Sequence, residues 1–422
     1  MGDGLLGVGD GLLGVGDGLL GTVLGTVAVA VAAVGIQAAS GAVWWVLVRA
    51  GAPAHRRATW AEAVGMGLAL GTFVSTMAAM LLAGTFLDPV AWALPAIATA
   101  LIVPLPVVRR RLRTVDLSAS AAQSIAVAFG AAGGLALLVV NWARVPLDTA
   151  ASASFTDLYF FEAISRGLAE FGPAQSILMS GGSLRYHWFT YAWAGELAQT
   201  AGTAPFVTIT RILPVVTLVG VALLAAAWAG DRSRVRWVPT LAVLLVVVGG
   251  YSGALYGAVL NFDSPSQSLT TLWLLALGLC VVSIARARTG RLGGLAVVAV
   301  TASACTGGKV SHAAVAAGGI AVLAATGLIT RARWRTPVLL AAVVAALAMA
   351  LTYLWVLSGV AIDRNLTEEI AVKASTWQGL DPLVGRGGVM LGTAALVLAI
   401  LARLSGVGWL AATRQWTPDV LF

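Results

Sequence analysis

Eight residues of this chain have the types and placement to do chemistry. Asp157, Glu162 and Asp263 supply carboxylates; Arg185, His187, Arg211, Lys309 and His312 supply cations or proton carriers. A carboxylate can take the proton from an attacking hydroxyl. A guanidinium fork or an ammonium can hold the oxygens of a phosphate. These groups stand out because they sit at polar breaks in an otherwise oily chain. The longest break, Val145–Trp188, holds Asp148, Asp157, Glu162, Glu170 and His187. Nothing in the chain resembles a phosphate loop, a dinucleotide fingerprint, a metalloprotease helix or a nucleophile elbow.

Each candidate also has a plain structural reading. The stretch DLYFFEAISRGLAEFG, from Asp157, reads as an amphipathic helix. Its apolar residues Leu158, Phe161, Ile164, Leu168 and Phe171 suit a helix lying on a membrane surface. Thr156 or Asp157 fits the N-cap of that helix. In SGGSLRYHW, two glycines precede Arg185, Tyr186 and His187; Tyr and Trp there are ordinary interface anchors. In NFDSPSQS, Asp263 precedes Pro265, a favoured residue in the first turn of a helix. In TGGKVSH, Lys309 interrupts two apolar runs, with Ser311 and His312 beside it. An ionisable group at membrane depth is a candidate functional site, although a lysine can also snorkel to the interface. The charges of Asp363–Glu369 and Asp381 read as a solvated surface.

The elements that must position these groups are membrane helices. The 422 residues are 59% hydrophobic and 10% charged, with a mean hydropathy of +0.91. Soluble domains carry about 25% charged residues. Apolar runs of about 20 residues recur from end to end, long enough to cross a hydrocarbon core of about 30 Å. The fold expected is all-α, a polytopic transmembrane helical protein, without the alternation of a membrane barrel. The net charge of +8 is nearly all arginine, the lysines being Lys309 and Lys373. The arginines form short clusters between apolar runs, the placement of topology signals and not of a nucleic-acid surface. Cys280 and Cys305 fall in apolar runs, which argues against a disulfide or zinc framework.

Four regions follow. Residues 1–21 form a low-complexity tail repeating GDGLLGV, whose glycines argue against a stable helix. Residues 22–140 form a four-helix membrane segment with spans expected at Thr22–Val48, Ala61–Gly84, Val90–Val108 and Ser118–Val140. Residues 141–205 form one long outer loop containing amphipathic, interfacial helices. Residues 206–422 form the C-terminal membrane segment. Its spans are expected at Phe206–Ala229, Trp237–Leu260, Leu269–Ile284, Leu292–Gly307, Val310–Ile329, Val338–Val360 and Val389–Ala402. Arginine clusters belong on the cytoplasmic side. Placing all of them there requires Tyr186–Ala201 to stay at the membrane face, as an interfacial or re-entrant helix. The result is about 11 spans, a cell-membrane location, an outer N-terminus and an inner C-terminus. Asp157, His187, Asp263 and Lys309 then all face the periplasm or cell exterior.

The order of these motifs resembles the glycosyltransferase C superfamily, integral membrane enzymes that use polyprenyl-phosphate sugar donors. The resemblance covers roughly Ala119–Ile329. It runs from a loop with an early acid (TDLYFFEAI) through a histidine step onto a helix (LRYHWFTYAWAGELAQTAG). It continues with a span opening on arginine and proline (TRILPVV), a second acidic outer loop at Asp263, and a lysine in a Gly/Ala-rich span (TASACTGGKVSHAAV). The resemblance implies Asp157 as the base, with Glu162 and Asp263 orienting the acceptor or a metal. It implies Arg185, Arg211 and Lys309 on the lipid phosphate, with His187 and His312 beside them. Magnesium or manganese is compatible with such carboxylates, but the sequence does not demand an ion. Expected partners are membrane lipid, the polyprenyl-phosphate sugar donor and a cell-envelope glycan, lipid or protein acceptor. The competing readings are a transporter or lipid flippase and a non-catalytic membrane subunit on the same fold.

Overall fold

The computed structural model describes residues 8–52, 57–142, 156–174, 184–230, 235–247 and 264–357. Asp148, Asp263, Lys373, the charges of 363–381 and the span expected at 389–402 lie outside them. The described residues are almost wholly helical. In chain order they are α1 (Val8–Ala50), β1 (Arg57–Thr59), α2 (Trp60–Leu82), a 3-10 turn (Asp88–Ala93), α3 (Leu94–Ile102), α4 (Pro106–Leu112), β2 (Asp116–Ser118), α5 (Ala121–Trp142) and α6 (Thr156–Phe171). Then come α7 (Phe189–Ala201), α8 (Pro205–Val207), a π turn (Thr208–Ile212), α9 (Leu213–Gly230), α10 (Val238–Val247), α11 (Pro265–Ala285), α12 (Arg291–Gly308), α13 (Val310–Ile329) and α14 (Arg335–Val356).

Eight helices are long and apolar enough to cross a membrane, or nine if the bent pair Asp88–Ile102 and Pro106–Leu112 counts as one. The eight coincide with eight of the expected spans, so the chain is a multi-pass membrane protein. The expected count of eleven is not reached among the described residues. The span expected at Val90–Val108 is bent by 93°. Pro104 and Pro106 explain the break, because each lacks an N–H and disfavours helix in the residue before it. Leu105 is accordingly extended, at φ −61° and ψ 132°, and α4 restarts on Pro106. The tail also departs from expectation, since α1 is helical from Val8. Extending a helix already nucleated by a span avoids the nucleation cost, leaving about 1 kcal/mol per glycine.

Small residues set the closest packing, as in other membrane bundles. Along α1 and α2 the backbones nearly touch: a side chain on Gly71 would strike the Gln37 carbonyl, and one on Gly67 the Ala38 carbonyl. Buried threonines in the spans return their hydroxyls to the preceding turn, as Thr72 does to Leu68 (2.7 Å) and Thr301 to Val297 (2.7 Å). The Trp44 indole donates to Thr99 Oγ1 (2.8 Å), which brings the last turns of α3 beside the end of α1.

One end of the bundle is stapled by a buried charge. Glu62 is capped through its N–H by Thr59 Oγ1 (3.2 Å) and accepts from the Trp45 indole (2.9 Å). It also pairs with Arg49 at 3.4 Å; the two side chains are only 2% and 11% exposed. Arg49 Nη1 donates onward to the Arg288 carbonyl (3.0 Å), and the Gly290 N–H donates to Val48 (2.9 Å). Strands β1 and β2 pair in parallel at the same end. The loops carrying Arg57, Arg109–Arg113 and Arg286–Arg288 therefore share one end, as arginine placement predicts. Truncation by Glu62→Ala strands the buried Arg49 charge and is expected to cost about 3 kcal/mol. Thermal unfolding in neutral detergent checks this, and the apolar pair Arg49→Met with Glu62→Leu should recover most of the loss.

Candidate functional site

The other end of the bundle gathers the chemistry, and α7 is its centre. Helix α7 has 13 residues, about 20 Å of rise, too short to cross. Every residue from Phe189 to Ala198 is buried, against α1, α2, α6, α11 and α12. The Trp193 indole donates to Gln37 Oε1 (3.1 Å) near the middle of α1's apolar stretch. The segment expected as an interfacial or re-entrant helix is thus enclosed by other helices. Helix α6, expected to lie on a membrane surface, turns its apolar face to protein. Leu158, Phe161, Ile164 and Leu168 are buried, while Phe171 is exposed. The two helices touch backbone to backbone, because Gly195 sits against the Ser165 carbonyl with no room for a side chain. Phe161 stacks on Tyr191 at 4.7 Å between ring centroids.

This packing presents Tyr186, His187 and Tyr191 as a short aromatic ladder. Tyr186 and His187 stack at 3.9 Å, and Tyr186 meets Tyr191 at 6.0 Å and the edge of Phe160 at 5.7 Å. Burial pushes the Tyr186 hydroxyl up to about 12, against a lowering by Tyr191, and the Asp157 carboxylate adds to the rise. Burial also pushes His187 down to about 3, helped by the Lys309 ammonium. His187 is therefore a neutral imidazole at physiological pH. Its Nε2 is buried and finds no hydrogen-bond partner among the described residues, whereas the Tyr191 hydroxyl faces Tyr186 and Ser266. An orphaned buried polar atom costs about 1–3 kcal/mol, so His187 Nε2 is a candidate ligand contact.

Lys309 arrives from the far side of the sequence. Gly307 and Gly308 end α12 where side chains would run into the Phe189 ring, the Thr270 hydroxyl and the Trp273 ring. Lys309 itself is extended, at φ −163° and ψ 117°, and α13 begins at the next residue. Because α14 packs against both α12 and α13, the chain turns back at this lysine. Its Nζ donates to Ser264 Oγ (3.2 Å) at the start of α11, where Pro265 opens the helix as expected. His312 Nε2 lies 3.0 Å from Thr271 Oγ1, whose own proton goes to the Gln267 carbonyl (2.8 Å). The histidine must therefore be the donor in that pair.

The eight sequence candidates divide. Asp157, His187, Lys309 and His312 converge on this end, with Asp157 exposed in the first turn of α6. Arg185 is exposed beside Tyr186. Glu162 instead forms a solvent-side pair with Arg166 (3.9 Å). Arg211 lies in the π turn, 5.6 Å over the Trp142 ring. Asp263 lies outside the described residues. Among the described residues, no three His, Cys, Asp or Glu side chains gather to hold a metal ion.

Four features went unread in the sequence. Tyr186 and Tyr191 pass for interface anchors, and Ser264 for a helix cap, though its hydroxyl serves Lys309 instead. Glu196, buried in α7, did carry a signal, as a lone carboxyl in an apolar run. Burial, helped by Asp88, pushes it up to about 7. The fourth is a cleft of 420 Å3 lined by Phe73, Met77, Phe189, Val300, Leu351 and Trp355, with Ser303 and Thr352 as its hydroxyls. Phe189, two residues after His187, lines the cleft. Set against protein-family models, curated proteins and solved structures, the chain gives no significant match.

Two opposed pH effects are expected. His187 ordinarily titrates near 6.5 and is depressed on folding, so its contribution to stability falls as pH drops from 6.5 toward 3. Glu196 is raised on folding, so its contribution is full below 4.5 and lost as pH rises toward 7. The melting temperature of His187→Gln should flatten on the acid limb, and that of Glu196→Gln between those two values. An unchanged acid limb in His187→Gln means that the imidazole is not held neutral.

Proposed function

We propose that this chain is a membrane glycosyltransferase that moves a sugar from a polyprenyl-phosphate donor to an acceptor hydroxyl at the outer membrane face. The observation that carries the reading is electrostatic. Asp157 and Lys309, far apart in sequence, act on adjacent rings, Asp157 on Tyr186 and Lys309 on His187. A carboxylate and an ammonium acting on one aromatic ladder are the two kinds of group that such a transfer needs. The acceptor oxygen attacks the anomeric carbon while its proton passes to Asp157. The bond from that carbon to the phosphate oxygen breaks, its electron pair stays on the phosphate, and Lys309 stabilises the charge. Neutral His187 offers sugar or phosphate a hydrogen bond through Nε2. The apolar cleft lined by Phe189 suits the hydrocarbon part of the donor. The resemblance of the motif order to that of the glycosyltransferase C superfamily is in keeping with this reading.

The cleft is also the observation that favours the second reading, a lipid flippase, since an apolar groove suits lipid movement as well. One experiment separates the two: transfer from a labelled polyprenyl-phosphate sugar by the purified chain, alongside Asp157→Asn and Lys309→Met. The first variant should lose roughly 10²–10⁴-fold in rate and the second a comparable amount. Transfer unchanged in Asp157→Asn removes that residue from the mechanism. Lipid translocation without transfer in the wild type selects the flippase.

A further inference from the structure

The stretch between α3 and β2 carries the densest positive charge in the sequence, and none of it touches the site at the other end. Arg109, Arg110, Arg111 and Arg113 fall within one turn and a half, and all four are exposed. None of them has an ion pair among the described residues. They are held on a defined platform. The 93° bend turns α4 across the direction of α3. Leu112 packs onto Val46, Ala50, Ala58, Ala63 and Val115, fixing the platform to the ends of α1 and α2.

The same platform leaves apolar side chains uncovered: Leu105 is 51% exposed and Val107 66%, next to Leu101 at 71%. Contact with water alone accounts for the arginines and not for these three. An apolar edge beside a row of guanidiniums fits a segment lying at headgroup depth, with its hydrocarbon toward the acyl chains. Guanidiniums match phosphate oxygens bidentately, and a cluster of four beside a spanning helix attracts anionic lipid. A pure topology signal acts during insertion and needs neither an ordered bend nor an anchored Leu112.

We propose that α4, through Arg109, Arg110, Arg111 and Arg113, is a docking surface for the headgroups of anionic phospholipids in the leaflet at the arginine-rich end of the bundle. Charge complementarity and the uncovered apolar edge together commit it to a lipid in place of a free anion. This surface is independent of the transferase reading, and its failure leaves that reading untouched.

The test uses the full chain in neutral detergent, where membrane orientation plays no part. Phosphatidylglycerol and phosphatidylcholine are added in equal amounts, and retained lipid is counted by native mass spectrometry. The wild type should keep phosphatidylglycerol about tenfold over phosphatidylcholine, and R109Q/R110Q/R111Q should lose most of that preference. The charge-matched R331Q/R333Q/R335Q should keep it. Equal retention of both lipids by the wild type overturns the proposal, as does equal loss in the two triple variants, which would reduce the effect to net charge. Displacement by inorganic phosphate at about 10 mM, near the wild-type lipid's own strength, would make this a small-anion site and also overturn it. Should the α4 variant fail to melt cooperatively, the wild type in a salt series decides. Preference that survives from about 0.05 to 0.5 M salt is not electrostatic docking.

Discussion

The hydrogen bond from Trp193 to Gln37 holds the centre of this molecule. In an apolar solvent an unpaired amide or indole is costly, so each of these groups secures the other. The amide is presented there because glycines let α1 and α2 approach until Gly71 lies on the Gln37 backbone. The indole is there because α7 is too short to cross and is sunk among longer helices. Together they set the depth of α7, and with it the height of the aromatic ladder that begins two residues before the helix.

From that depth the rest of the site follows. Phe161 can stack on Tyr191 only while Gly195 and Ser165 stay in contact, so α6 inherits its position from α7, and Asp157 inherits its own from α6. On the far side, two glycines bring α12 against Phe189 and Trp273 and deliver Lys309 to Ser264. Both approaches are steric devices that spend side-chain volume to position charge. The opposite end works by other means: Arg49, Glu62 and Trp45 bury a charge pair that joins α1 and α2 to the turn between α11 and α12. One end is joined through a buried ion pair. The other carries the buried His187 Nε2 beside an aromatic ladder.

Much of the architecture was legible in the sequence because hydrophobic length is a one-dimensional property. The spans at α2, α5, α9 and α11 to α14 follow from apolar runs alone, and the shared end of the arginine loops from charge placement. Lys309 and His187 were legible because an ionisable group in oil is conspicuous. What was not legible depends on contact. The amphipathic pattern of α6 says that Leu158 and Phe161 share a face, but not whether that face meets lipid or protein. Glu162 looked like a partner for Asp157 by spacing, yet five residues along a helix point it elsewhere, toward Arg166. The bend at Pro104 and Pro106 had a local signal that apolar length masked. The helix in the glycine repeat had none, since it propagates from its neighbour.

The parallel pairing of β1 with β2 carries a consequence for how the chain is threaded. Arg57–Thr59 and Asp116–Ser118 lie side by side at one end of the bundle. A path that leaves a surface and returns to it must traverse the slab an even number of times. Helix α2 is one traverse, and only the stretch from Asp88 to Ile102 is left to supply the return. Its 3-10 turn and α3 reach about 25 Å together, close to the hydrocarbon thickness. By parity the bent segment is the return path across the bundle, and α4 is the doorstep on which it lands.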